Sequence, residues 1–179
     1  MSEWALVRCL AHNNGILPMD DSLTAMAEDL VALAAREKLT IITAESCTSG
    51  LLATVLSEAP GAGKILHGGF VTYTKEHKAV ALGVPDELLR SQGAVCDEVA
   101  CAMAQGALAR SHADLAAAIT GVAGPEPDDD GNPVGRVFIA VARRGRKALC
   151  FEKNYGAIGR DAVREAAMMD AIAALKRLI

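Results

Sequence analysis

The sequence predicts an α/β fold: a single three-layer α/β/α domain around a mixed, mostly parallel sheet that includes one antiparallel hairpin. Three observations carry this. Short apolar runs alternate with stretches of helical periodicity from residue 22 to the C-terminus. The last two strand-like runs, RVFIAVA and KALCFEKN, flank a short RRGR turn, as a hairpin requires. No internal repeat or compositional break divides the 179 residues, and a chain of that length can bury a single core.

Each element follows from local pattern. Leu23, Met26, Ala27, Leu30, Leu33 and Ala34 recur at helical spacing, and Asp20, Asp21 or Ser22 can cap that helix. LTIITA reads as a short buried strand. GLLATVLSEA follows as a helix that Pro60 and the PGAG turn end. ILHGGFVTY is a second strand whose Gly68-Gly69 pair predicts a bulge or a close backbone approach. KEHKAVALG and VPDELLRSQG are short helices, and CDEVACAMAQGALARS is an amphipathic one with Val99, Met103, Gly106 and Ala107 on its apolar face. ADLAAAITG is the third strand, and the acidic PEPDDDGNPVG must be a surface loop, expected to point to solvent. After the hairpin, DAVREAAMMDAIAALKRLI closes the chain as a helix with Arg and Lys near its C-terminal end, where they suit the dipole.

Composition narrows the function. The formal net charge is −4 and aromatics are only 3%, which argues against nucleic-acid binding by electrostatics or by base stacking. No run approaches the ~18 consecutive apolar residues of a membrane span. The N-terminus has no basic region ahead of its short apolar patch, so no secretory leader is expected and a cytoplasmic location is. Residues 1–20 read as an extension, with Trp4, Leu6 and Leu10 available for an interface, and 21–179 as the domain. The five cysteines form no C-x-x-C pair and the four histidines lack ligand spacing, so neither a metal nor a disulfide framework is expected.

In open α/β sheets, ligands bind beyond the carboxyl ends of strands. Three strands end in polar or glycine-rich turns: AESCTSG, TYTKEHK and ITGVAGP. If those ends lie side by side, Ser46, Tyr73, Lys78 and Thr120 converge. Gly50, Gly121 and Gly124 would then leave backbone N–H groups free for an oxyanion or a phosphate. A serine needs a base to become a nucleophile, and a lysine serves when burial keeps it neutral. Tyr73 can relay the proton or orient the amine. Such a set suits attack on an amide or ester carbonyl. On position alone, Ser46 reads more readily as a helix N-cap or turn hydroxyl than as a nucleophile, Cys47 and Thr48 as packing and turn residues, and Lys75 and Lys78 as solvated helix charges.

TAESCTSGLLA, GGFVTYTKEHKAVALGV, GAVCDEVACAMAQGAL, AITGVAGPEP and PVGRVFIAV occur in an order that resembles the CinA C-terminal domain family, over residues 22–178. The resemblance implies a nicotinamide-nucleotide amidase. Such an enzyme hydrolyses the carboxamide of nicotinamide mononucleotide to nicotinate mononucleotide and ammonia, without metal or cofactor. It places the nucleophile on Ser46 and its partners on Tyr73 and Lys78, and makes Thr120 a ligand contact. Arg160 becomes the phosphate contact, with Arg164 as substitute. Thr48, Gly50, Gly121 and Gly124 complete the expected substrate-binding set. The implied partner is a small-molecule nucleotide, and a homodimer is implied too. The alternative is a non-catalytic nucleotide-binding or competence- and damage-associated interaction module. The chain departs from the family pattern in having Ser49-Gly50 for Gly-Gly, an acidic loop for a glycine-rich one, and NYGAIGR for Gly-Asp-Arg. Larger members carry an N-terminal molybdopterin-binding-like domain with pyrophosphatase activity, which residues 1–20 are too short to supply.

Overall fold

The computed structural model describes residues 21–179; the extension 1–20, with its proposed interface residues, lies outside the described part. Helix α1 (Asp21–Glu37) leads into strand β1 (Ile41–Glu45), then α2 (Leu51–Glu58), a short 3₁₀ turn and β2 (Leu66–Val71). Three helices follow: α3 (Lys75–Leu82), α4 (Asp86–Gln92) and α5 (Asp97–Ala109). Strands β3 (Leu115–Gly121), β4 (Arg136–Arg143) and β5 (Leu149–Asn154) precede the closing helix α6 (Arg160–Lys176).

The five strands form one sheet in the order β2-β1-β3-β4-β5. β1 pairs in parallel with both β2 and β3, whereas β3–β4 and β4–β5 are antiparallel. Only β4 therefore runs against the rest. The chain leaves β1 for a strand on one side and returns to the other, so the carboxyl end of β1 is the place where strand order reverses. The register between β1 and β2 slips between Ile41 and Ile42, whose partners are Leu66 and Gly68. A Cβ on Gly69 would come within 2.5 Å of Thr43 Oγ1. The glycine pair thus supplies both a bulge and a close approach.

Alternation along the strands sorts the core into two layers. Leu115, Ile119, Val137, Ile139 and Val141 face α1, α2 and α6, with Leu30, Leu52, Val163 and Ile172 packed against them. Ala116, Ala118, Ala140 and Ala142 face the other way, toward Ala100, Met103, Ala104 and Ala107 of α5. Small side chains on both partners let α5 sit close, which is how a core with so few aromatics fills its space. Met103 and Met168 are core residues, 0% and 4% exposed. Among the described residues, no helix is long and apolar enough to cross a membrane.

Candidate active site

The carboxyl ends of β1, β2 and β3 lie side by side, and a cleft opens over them. It spans about 670 Å³, part of it open to solvent, and is lined by Ser46, Cys47, Tyr73, Thr120, Gly121, Gly124 and Arg160, among others. Ser46 directly follows β1, and its N–H donates to the Ile119 carbonyl at 2.9 Å, which fixes the start of the turn to β3. Across the cleft floor Lys78 comes from the first turn of α3, where Thr74 caps the helix by accepting from the His77 N–H. The Lys78 side chain is fully buried.

Lys78 Nζ lies 2.8 Å from Ser46 Oγ and 2.8 Å from the Thr72 carbonyl oxygen. Burial lowers its pKa from 10.5 to about 8, against a smaller opposing effect from Cys47. A neutral amine donates to the carbonyl and offers its lone pair to the serine hydroxyl, the arrangement of a general base. The amine is oriented by the Thr72 carbonyl, whereas Tyr73, expected to relay the proton or orient the amine, has its hydroxyl beside Arg160 instead. Tyr73 is 57% exposed, and its hydroxyl lies 3.3 Å from Arg160 Nη2. Cys47, next to Ser46, is the rival nucleophile. Burial pushes its thiol up to about 11, although Lys78 and Arg164 act in the other direction. A thiol so placed stays protonated at neutral pH.

The turn itself is unusual. Ser49 and Gly50 both take positive φ, 53° and 93°. Ser49 thus holds a conformation normally left to glycine, and its hydroxyl donates to the Ser46 carbonyl at 3.3 Å. The Gly50 N–H was expected to be free for a substrate oxygen, and it is not. Gly50 and Leu52 N–H donate to Glu45 Oε2, each at 3.0 Å, and Ala53 N–H to Oε1 at 2.9 Å. Thr43 Oγ1 adds a fourth bond to the same fully buried carboxyl group, at 3.0 Å. An internal acid therefore occupies the N-terminus of α2, the natural anion site. Sequence reasoning passed over Glu45. The signal was an acid ending an otherwise apolar, doubly paired strand, where a carboxyl group must find buried donors.

Thr48, expected among the substrate contacts, is fully buried and does not line the cleft, and its Oγ1 has no hydrogen-bond partner. Thr120 does line the cleft; its hydroxyl donates to the Ala94 carbonyl at 2.7 Å and keeps lone pairs to accept with. Gly121 allows the crossing with β4, since a Cβ there would meet the Arg136 carbonyl at 2.6 Å. Gly124, at φ 92°, turns its carbonyl to Arg160 Nη1, which donates to it. Arg160 opens α6 and lines the cleft, whereas Arg164 Nε donates to the Cys47 carbonyl at 2.8 Å and so tethers the turn after β1 to α6. Among the described residues, the N–H groups of Cys47, Ala123 and Gly124 donate to no other residue.

As expected, the acidic loop lies largely at the surface, with Glu126, Asp129 and Asp130 exposed. Glu126 and Asp128 line the same cleft. Asp128 accepts from Asn132 N and Nδ2 at 2.7 and 2.8 Å, and Asp130 forms a 2.8 Å ion pair with Lys75 of α3. These bonds tether the loop beside the cleft while most of it stays exposed.

Comparison with known proteins places this architecture. The chain is 45% identical over 154 residues to a putative competence-damage inducible protein of Symbiobacterium thermophilum, covering 82% of the chain and 36% of that protein. A CinA-like protein of Geobacter sulfurreducens is 45% identical over 149 residues, covering 82% and 35%. The chain thus spans about a third of the length of these relatives. Among solved structures it resembles the competence/damage inducible protein CihA of Agrobacterium tumefaciens. That match has a TM-score of 0.86 at 39% identity, over 89% of this chain and 97% of that one. A CinA superfamily protein of Escherichia coli gives 0.83 at 34%, over 93% and 96%. The sequence pattern of the CinA C-terminal domain matches residues 23–179, and the chain belongs to that family.

Proposed function

We propose that the chain is an amidohydrolase that converts nicotinamide mononucleotide to nicotinate mononucleotide and ammonia. The observation that carries this reading is the buried amine of Lys78 at 2.8 Å from the Oγ of Ser46, a residue that lines an open cleft. Roughly a tenth of the molecules hold that amine neutral at pH 7, and most do above pH 9, given its pKa of about 8. The neutral amine takes the Ser46 proton as Oγ attacks the amide carbon. The Cys47 N–H, next in the chain, receives the oxyanion. Collapse of the tetrahedral adduct breaks the C–N bond, and the Lys78 ammonium returns its proton to the departing ammonia. Water, deprotonated by the same amine, then hydrolyses the Ser46 ester and frees the carboxylate.

The far corner suits the phosphate. Arg160 spends two donors on Gly124 and Tyr73 and has three left, and the Ala123 and Gly124 N–H groups lie beside it. Glu126 and Asp128 complement a ring that is cationic when joined to ribose. Incubation with nicotinamide mononucleotide should release ammonia, followed by a coupled assay. Folded protein that releases none contradicts the reading. The riboside, which lacks the phosphate, should be cleaved with kcat/KM roughly a hundredfold lower, the scale of a lost charged hydrogen-bond pair. Equal rates would mean that Arg160 does not read the phosphate.

A further inference from the structure

The reaction asks no acid–base step of Glu45, yet this carboxyl group is wholly buried and accepts four hydrogen bonds. Three of its donors are backbone groups of the turn and first helical residues that follow Ser46. Gly50, at the N-cap position of α2, has no side chain to satisfy them. The preceding strand therefore supplies the cap, reaching five to eight residues forward. Each oxygen takes two bonds: Oε1 from Thr43 Oγ1 and Ala53 N–H, Oε2 from Gly50 and Leu52 N–H.

We infer that Glu45 is a positioning residue for Ser46, clamping the strand end to the start of α2 so that Oγ stays within reach of Lys78. The inference rests on Ser46 being the nucleophile. Ser46 is the next residue in the chain, between this clamp and the Arg164 bond to the Cys47 carbonyl. The carboxyl group suits the task because it can meet all four donors as an acceptor. An amide of the same shape has one acceptor oxygen, and its NH₂ would face the Gly50 and Leu52 N–H groups at the Oε2 position or the Ala53 N–H at the Oε1 position. Lys78 and Arg160 belong to other elements, so losing the clamp disturbs the nucleophile and leaves nucleotide binding in place.

The test uses a serine-directed sulfonyl fluoride on the full chain, so it does not depend on the natural substrate. Ser46 Oγ forms the new S–O bond, fluoride leaves, and the serine proton passes to Lys78. Wild-type protein should be labelled at Ser46, read by peptide mass. Glu45→Gln should be labelled roughly tenfold more slowly, the scale of a misplaced reacting group. Its affinity for nicotinate mononucleotide should stay within about threefold, a split that a merely destabilised protein would not show. Thr43→Val, which deletes one donor to Oε1, should slow labelling about threefold and decides the matter if Glu45→Gln does not fold. Equal labelling rates in wild type and the folded variants overturn the inference and leave the nucleophile standing. A wild type not labelled at Ser46 removes the nucleophile and this role together.

Discussion

Two turns face each other across the cleft, and their backbone donors have opposite fates. In the turn after β1, the Gly50, Leu52 and Ala53 N–H groups are all taken by Glu45. In the turn after β3, the Ala123 and Gly124 N–H groups donate to no other described residue, and Arg160 stands beside them. In the first turn the helix N-terminus is filled from within, the Cys47 N–H stays open, and one hydroxyl is held 2.8 Å from one amine. The second keeps its donors for something that arrives. A helix N-terminus behind a strand is therefore no sure anion site, because the chain can fill it with its own carboxyl group.

That contrast separates chemistry from binding, and substitutions can break it. The largest effect is expected at the first turn. Ser46→Ala should lower kcat by about 10³-fold or more with little change in nucleotide affinity, and Cys47→Ala should cost less than about tenfold. The reverse order would move the nucleophile to the thiol. At the second turn, Arg160→Ala should raise KM by roughly ten- to a hundredfold, with kcat changed less, as expected when binding common to ground and transition states is removed. A fall in kcat with unchanged KM would put Arg160 in the chemistry. The smallest effect is at the rim. Lys75→Ala deletes an ion pair whose side chains are 46% and 34% exposed, so thermal unfolding should register well under about 1 kcal/mol. A larger loss would mean that the acidic loop depends on this one tether.

Much of this was legible from residue patterns. The order of strands and helices followed from periodicity, and the Gly68-Gly69 pair announced its bulge. The three polar strand ends indicated where a site would form, because parallel neighbours put their carboxyl ends together. What stayed hidden depends on long-range contact. Lys75 and Lys78 sit one turn apart on α3 and look alike in sequence. One is half exposed beside Asp130, whereas the other is sealed against Ser46. Nothing in the periodicity of that helix tells them apart; the resemblance of the TYTKEHK block singles out Lys78, and the fold of β1 against β2 brings its amine to Ser46. Glu45 was missed because its partners lie across a turn whose φ values were unforeseen, at Ser49 above all. The acidic loop is exposed as its composition indicates, and what composition does not report is the Asn132 and Lys75 contacts that hold Asp128 and Asp130 in place.

The buried lysine also carries a signature in stability. Its folded pKa, about 8, lies below the ordinary 10.5, so the unfolded chain binds the extra proton between those values. Below pH 8 both states are protonated and burial of the cation costs stability. Between about pH 8 and 10.5 that cost is relieved, so this group's contribution rises with pH.

The same ionisation bears directly on the central claim that neutral Lys78 is the base for Ser46. The decisive measurement is kcat/KM for ammonia release from nicotinamide mononucleotide across pH 6 to 10. The expected profile rises tenfold per pH unit and levels off through a single ionisation near pH 8. In Lys78→Met, rates should fall by about 10³-fold and that ionisation should vanish. A flat profile, or a rise through pH 8 that survives in Lys78→Met, would contradict the account.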